Sequence, residues 1–428
     1  MKLEKNSFPP SSGIKLTFRT LRYRNYRLFF IGNGISMTGN WMQQVAMSWL
    51  VYRLTNSSLL LGVIAFAGLF PGFLLTPLAG VLSDRWSRRH ILLVSQVLAM
   101  LQAIAMTFLV MTGMVAVWHI MFLSVLLGLI SAFDITARQS FIVDTIEERE
   151  DLGSAIALNS ALFNGARLLG PSLAGITIAA TGEGICFLIN TLSYLAFIAT
   201  LFLMKIKSVP TVGNKASIVQ GFKDGFMFTL NFLPIRCVLL LLALVNLIGM
   251  PYAVLMPVFA KDILHGGPHT FGFLTAASGA GALTGALYLA SRRIVLGAVK
   301  IIPVATCIFG LGLIFFSLSK VLWVSLFLLL LTGFGMMVQL ALSNTIIQTL
   351  VDDDMRGRVM SFFTMAFMGT IPFGSLLAGG FADLIGAPRT LIIGGLCCIL
   401  GALAYASKLP LLRDMVRLVY VRKGIISA

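Results

Sequence analysis

The chain is 428 residues long, 58% hydrophobic and 11% charged, with a mean hydropathy of +0.93. A soluble domain averages roughly 45–50% apolar and about 25% charged residues, so a soluble globular protein is excluded. The formal charge of +16 would suggest a nucleic-acid partner in a soluble domain, so the positions of the Lys and Arg residues decide its meaning.

The first 27 residues carry seven Lys and Arg and no apolar stretch, which reads as a retained basic tail and not as a cleavable signal. Apolar blocks of roughly 20 residues follow, the length a helix needs to cross a ~30 Å hydrocarbon core. The predicted spans are 28–52, 58–82, 90–112, 115–136, 155–180, 184–204, 237–260, 270–290, 299–319, 321–344, 358–382 and 389–407. Residues 205–236 form the longest interior segment without a spanning pattern and divide six spans from six. The domain reading is therefore a tail over 1–27, a six-helix bundle over 28–204, a linker over 205–236, a second bundle over 237–407 and a tail over 408–428. Ile218, Phe222, Phe226 and Phe228 mix with polar residues at the end of the linker, which fits an interfacial amphipathic helix and a disordered tether equally.

Loops and tails on the side of the amino terminus hold 27 of the 32 Lys and Arg residues; Arg53, Lys261, Lys320 and Arg389 lie on the other side, and Arg167 stands inside span 5. Positive residues accumulate in cytoplasmic loops, so both termini are expected in the cytoplasm. The basic charge is then a topology signal, and no nucleic acid is needed as partner. Ser87-Arg88-Arg89 after span 2 returns as Ser291-Arg292-Arg293 after span 8, and Gly170, Ala174 and Gly175 return as Gly374, Ala378 and Gly379, both at an offset of 204. Two unrelated features at one offset indicate parallel six-span halves, a transporter architecture with its site near midplane where the halves meet.

Gly80-Val81-Leu82-Ser83-Asp84-Arg85-Trp86-Ser87-Arg88-Arg89 resembles the loop 2–3 signature of the major facilitator superfamily. Gly170-Pro171-Ser172-Leu173-Ala174-Gly175 is similar to a motif of that superfamily's exporters and antiporters, with Ala174 replacing a glycine. Ala137-Arg138-Gln139-Ser140-Phe141 and the stretch from Ala157 to Asn164 resemble the branch that contains the enterobactin exporter and macrolide efflux proteins. The resemblance implies an all-α polytopic fold of two pseudo-symmetric six-helix bundles, alternating access, and proton antiport without ATP. It also implies a bacterial inner-membrane location. By the same resemblance Asp84 faces a helix end of the opposite half and Arg85 meets an acid at the cytoplasmic end of span 4, here Asp134, so Gly80, Asp84, Arg85, Arg88, Arg89 and Asp134 are read as a cytoplasmic gate.

An unpaired cation at the place of Arg167 would cost at least ~2.5–3.5 kcal/mol in lipid, so it must face protein or water. Its candidate partners are Asn40, Gln43, Gln44, Asn159 and Asn164, carbonyl oxygens, or an anionic substrate; the alternative is a structural Arg pinned to carbonyls. Asn246 and Gln339 join the cavity lining by family analogy. No Asp or Glu falls mid-span, which leaves Asp134 and His119 as the candidates for a proton carrier. Gly170, Pro171 and Gly175 in span 5, with Gly374 and Gly379 in span 11, mark the expected rocking interface. No Gly-Lys-Ser/Thr phosphate loop, dispersed histidines and five cysteines without ligand spacing argue against ATP as the driver and against a metal or cofactor, so an enzyme is not expected. The expected substrate is a small amphipathic molecule, with siderophore export and multidrug or macrolide efflux as competing readings. A non-transporting partner or sensor with the same fold ranks below both.

Overall fold

The computed structural model describes residues 19–146, 148–205, 226–291 and 297–423, with side chains at all of these except 77, 78, 80–85, 149, 353 and 354. Among the described residues there is no strand, and twelve long helical rods follow one another. They are α1 (Arg24–Thr55), α2 (Ser58–Arg85), α3 (Arg88–Met111), α4 (Val117–Asp144), α5 (Leu152–Thr181) and α6 (Glu183–Leu203) in one half. The other half holds α7 (Leu233–Ile263), α8 (Pro268–Ala290), α9 (Ala298–Leu318), α10 (Leu322–Leu350), α11 (Asp353–Thr364 continued through Ile371–Ile385) and α12 (Ala387–Ala406). Ten rods are apolar enough to span a membrane on composition alone. The other two, α1 and α5, are long enough but carry the amides and Arg167 that lower their hydropathy.

Three departures from the expected spans matter. Helix α4 does not stop at residue 136 but runs to Asp144, which takes Asp134 and Arg138 into a continuous helix. The stretch expected as a tail from 408 folds as α13 (Leu409–Arg422). Residues 226–231 of the expected linker are helical, whereas 206–225, including Ile218 and Phe222, lie outside the described residues.

The halves differ in how their helices are built. Proline has no N–H to donate, so the carbonyl four residues earlier loses its partner and the helix relaxes locally. In α7 a π-helical turn at Val245–Gly249 precedes Pro251, and in α11 another at Met365–Gly369 precedes Pro372. In the first half α5 passes through Pro171 without such a turn. The turns that end α5 and α11 are both made by glycine in the left-handed region, Gly182 at φ 85° and Gly386 at φ 89°, again 204 residues apart.

Within the first half α1 packs on α5 and α6, α3 on α4 and α6, and α2 on α4; in the second, α10 packs on α8 and α9, and α12 on α7 and α9. The halves join through α5 against α8 and α2 against α11. Small residues let these backbones meet directly. A Cβ on Gly272 would stand 2.4 Å from the Pro171 carbonyl oxygen, and one on Gly62 2.5 Å from that of Ser375. Gly175 and Gly379 are the partners, each within a Cβ's reach of the opposing glycine Cα. In hydrocarbon such van der Waals packing is the main source of helix association. We predict that Gly272→Ala lowers the melting temperature of the purified protein, by about 1–3 kcal/mol of overpacking. Gly165→Ala, where nothing lies within 4 Å, should leave it unchanged or slightly raised; equal effects at the two sites would refute the crossing.

Candidate functional site

Helix α1 carries Asn33, Ser36, Asn40 and Gln43, a spacing that sets polar groups along one stripe of an α-helix. A stripe of amides inside an apolar bundle must find partners, because an unpaired buried amide costs several kcal/mol in hydrocarbon. The structure supplies them in two layers.

The first layer surrounds a buried ion pair. Asp134 and Arg138 are one helical turn apart on α4, their side chains only 14% and 7% exposed, with Arg138 Nη2 2.7 Å and Nε 3.0 Å from Asp134 Oδ2. Asp134 Oδ1 accepts from Gln96 Nε2 at 2.6 Å and Ser95 Oγ at 3.0 Å, both on α3. The remaining guanidinium nitrogen donates to Asn33 Oδ1, whose amide donates to Asn159 Oδ1 of α5 at 3.0 Å. The guanidinium carbon lies 4.8 Å from the centre of the Phe197 ring of α6. Four helices thus converge on one carboxylate and one guanidinium, and Asn33 links the pair to a fifth, α5. The second layer joins α1, α3 and α6 through amides: Gln43 donates to Gln102 at 2.9 Å, and Asn190 donates to Gln43 at 2.7 Å and accepts from Ser193 at 2.8 Å. The buried Asn40 Oδ1, at the stripe position between the layers, has no hydrogen-bond partner among the described residues.

Arg167 is set apart from both layers. It sits on α5 beside the second half, where its Nη2 approaches Met336 Sδ of α10 at 3.9 Å and its guanidinium stands 6.0 Å from the Trp41 ring centre. Among the described residues it has neither a carboxylate nor an amide partner, so its charge is offered to the seam between the halves. Asn159 precedes it by two turns on the same helix. Asn164 bonds back to the Ser160 carbonyl and Asn246 to that of Leu242, at 2.9 and 2.8 Å, and buried Gln339 contacts Ser343 at 3.5 Å, so these three turn to their own helices. Gln43 belongs to the interior of the first half, and Gln44 is exposed. Gly170 packs on Trp41, where a Cβ would meet the Trp41 Cβ at 2.4 Å.

At the loop between α2 and α3, the side chains of Gly80, Asp84 and Arg85 lie outside the described residues. Arg88 pairs with Asp144 at 2.9 Å at the end of α4, and Arg89 donates to the Phe202 carbonyl at 3.3 Å, so both bind their own half. Asp134 is ten residues, about 15 Å, back along α4 from Asp144. Among the described side chains its partners are Arg138, Ser95 and Gln96. His119 caps the start of α4, accepting from the Ala116 N–H at 3.1 Å, a structural task. Beside α1, Tyr23 donates to Asp151 at 2.7 Å, and that bond raises the phenol above its ordinary pKa.

The face remote from the termini is bolted across the halves. Tyr52 donates to Asp262, Lys261 to Asn56 Oδ1 at 2.6 Å, and Ser57 to Asp383 at 3.4 Å, while Trp49 stacks on Phe271 with ring centres 6.2 Å apart. Arg53 and Glu183, 2.7 Å apart, brace the same face within the first half. Sequence reasoning passed over Arg138 and this bolt. Arg138 follows the first polar break of span 4, although Phe141-Ile142-Val143 resumes the apolar pattern behind it.

The family model described as transmembrane secretion effector matches residues 16–417. The staphyloferrin A transporter of Staphylococcus aureus is 25% identical over 87% of this chain and 93% of its own length. The multidrug efflux pump Tap of Mycolicibacterium fortuitum is 28% identical over 90% and 93%. The crystal structure of a mutant of the peptide transporter POT superposes with a TM-score of 0.72 over 91% of this chain and 95% of that one at 11% identity, a likeness of fold. With twelve rods in two halves and a match along nearly its whole length, the chain belongs to the transmembrane secretion effector family and is a multi-pass membrane transporter of the major facilitator superfamily.

Proposed function

We propose that this transporter exports a small amphipathic anion from the cytoplasm by alternating access, in exchange for protons, and that the anion is of the siderophore class. The observation that carries the reading is Arg167, a cation held at the seam with an aromatic ring and a thioether beside it and no acid to neutralise it among the described residues. Such a site gains most from a ligand with a carboxylate or phenolate and a flat apolar body. The relationship to a staphyloferrin A transporter supports that class. The second reading, efflux of lipophilic drugs, is favoured by the relationship to Tap and by the apolar Trp41 and Met336 around the same cation, with Phe163 against the Trp41 ring.

Asp134 is the proton carrier in this proposal. Neutralising it would free Arg138 from its carboxylate partner, and the amides of Asn33 and Asn159 would carry that change to α5, the helix that bears Arg167. The bolt at Tyr52, Asp262, Lys261 and Asn56 closes the external face in this state, and the Gly80, Asp84, Arg85 and Arg88 loop closes the cytoplasmic face in the opposite one. Both termini are cytoplasmic and the membrane is the bacterial inner membrane, a reading supported by the charge distribution. ATP is not used.

Two experiments separate the parts. In proteoliposomes Arg167→Ala should raise KM for an anionic catecholate or citrate-type chelator at least about tenfold, the worth of roughly 1.4 kcal/mol, while changing efflux of a neutral drug little. Equal loss for both would make Arg167 structural, and drug efflux without chelator efflux would decide for the second reading. Asp134→Asn should abolish efflux driven by a proton gradient yet keep substrate counterflow, which needs no net proton movement. Gradient-driven efflux at the wild-type rate would remove Asp134 from the coupling.

A further inference from the structure

Helix α13 begins after a two-residue turn at the end of α12 and has three distinct edges. Leu412, Val416 and Tyr420, four residues apart, are buried against α7, α9 and α10. Its far end is bolted down: Lys423 Nζ donates to the carbonyls of Thr349 and Val351 at 3.1 and 2.9 Å and lies 3.1 Å from Asp352, a cation at the C-terminus of α10. The second edge is apolar and uncovered, with Leu411 53% and Leu418 71% exposed two turns apart. The third carries exposed Arg413 and Arg417 with Asp414 beside them, while the exposed Arg422 ends the helix on the side of the leucines, and none of the three arginines has a protein partner among the described residues.

We propose that α13 is a membrane-docking helix that binds the headgroups of anionic lipids in the leaflet on the side of the termini. What covers the apolar edge is indicated by continuity. Helix α12 exposes Ile393, Leu396, Leu400 and Leu403, a 3–4–3 spacing that draws one stripe along a helix in contact with hydrocarbon. In chain order the next exposed leucine after that stripe is Leu411, just past the turn at Ser407 and Lys408. A helix lying at the interface with leucines in the acyl boundary holds flanking guanidinium groups at headgroup depth, where anionic lipid attracts them. Because Lys423 ties the same helix to the end of α10, lipid charge acts on the half that carries the π-helical turns. The inference does not depend on the substrate or on proton coupling.

The test uses the full-length protein in nanodiscs of phosphatidylcholine, alone or with phosphatidylglycerol as about a third of the lipid, an anionic share like that of a charged leaflet. The wild type should melt at a higher temperature in the anionic discs and show slower hydrogen exchange over 409–422, and both gains should shrink as salt is raised. Arg413→Gln/Arg417→Gln, exposed changes that leave the buried edge intact, should lose at least about half of both gains. Soluble glycerophosphate at matching concentration should give neither. A wild-type gain retained in the double variant would overturn the proposal, as would a gain reproduced by glycerophosphate. Equal destabilisation of the variant in both lipids would mean that the edge meets protein and would also overturn it.

Discussion

The cost of keeping charge away from water orders the first half of this transporter. Asp134 and Arg138 are tolerable inside a helix bundle only because each neutralises the other and the surrounding amides, hydroxyl and ring take up their remaining polar groups. Meeting that demand takes Ser95 and Gln96 from α3, Asn33 from α1 and the face of Phe197 from α6, so the relative rotation of four helices is set by one ion pair. Removing one partner of such a pair leaves an uncompensated charge worth about 3–5 kcal/mol. The pair therefore serves as a stability anchor whatever else it does, and a proton delivered to Asp134 would act directly on packing.

Among the described residues the second half has no counterpart. Its described buried polar contacts are neutral, within a helix at Asn246 and Gln339 and between α7 and α8 at Tyr252 with Ser278, 2.5 Å apart, and its helices α7 and α11 are interrupted by π-helical turns before prolines. π-Bulges collect at functional sites because they alter helix direction at small cost. Under the proposed exchange, a charged half facing an apolar, articulated half would divide the labour of alternating access: electrostatic change would originate in the first half, and the compliance that absorbs it would lie in the second. The joints between the halves, α5 with α8 and α2 with α11, are backbone contacts at Gly175 with Gly272 and Gly62 with Gly379, crossings where no side chain stands between the helices.

The two-half architecture was legible because hydropathy blocks and the 204-residue offset depend only on local composition. Arg167 was legible for the same reason, as a lone charge inside an apolar block. What escaped depends on pairing across distance. Gln43 looks like a cavity amide until the fold turns it on Gln102, 59 residues away. Arg138 was assigned to a loop because a positive residue near a span end ordinarily marks the boundary, and nothing local shows that Asn33, 105 residues earlier, would receive it. Helix α13 escaped because its apolar residues come every fourth position between charges, too sparse for a spanning pattern.

Under the proposed exchange the remaining question is how an ion pair buried in one half informs a cation at the seam. Asn159 and Arg167 are eight residues apart on α5, about 12 Å along a helix with no π-helical turn between them. Such a rod transmits rotation and translation but little bending. The Arg138 to Asn33 to Asn159 bridge pulls on the terminal end of α5, while Gly175 holds the remote end against α8. Arg167 lies between these two constraints, so releasing the first lets the middle of α5 swing about the second. The guanidinium then moves relative to Trp41 and Met336 without being touched by the proton, and substrate affinity changes through geometry alone.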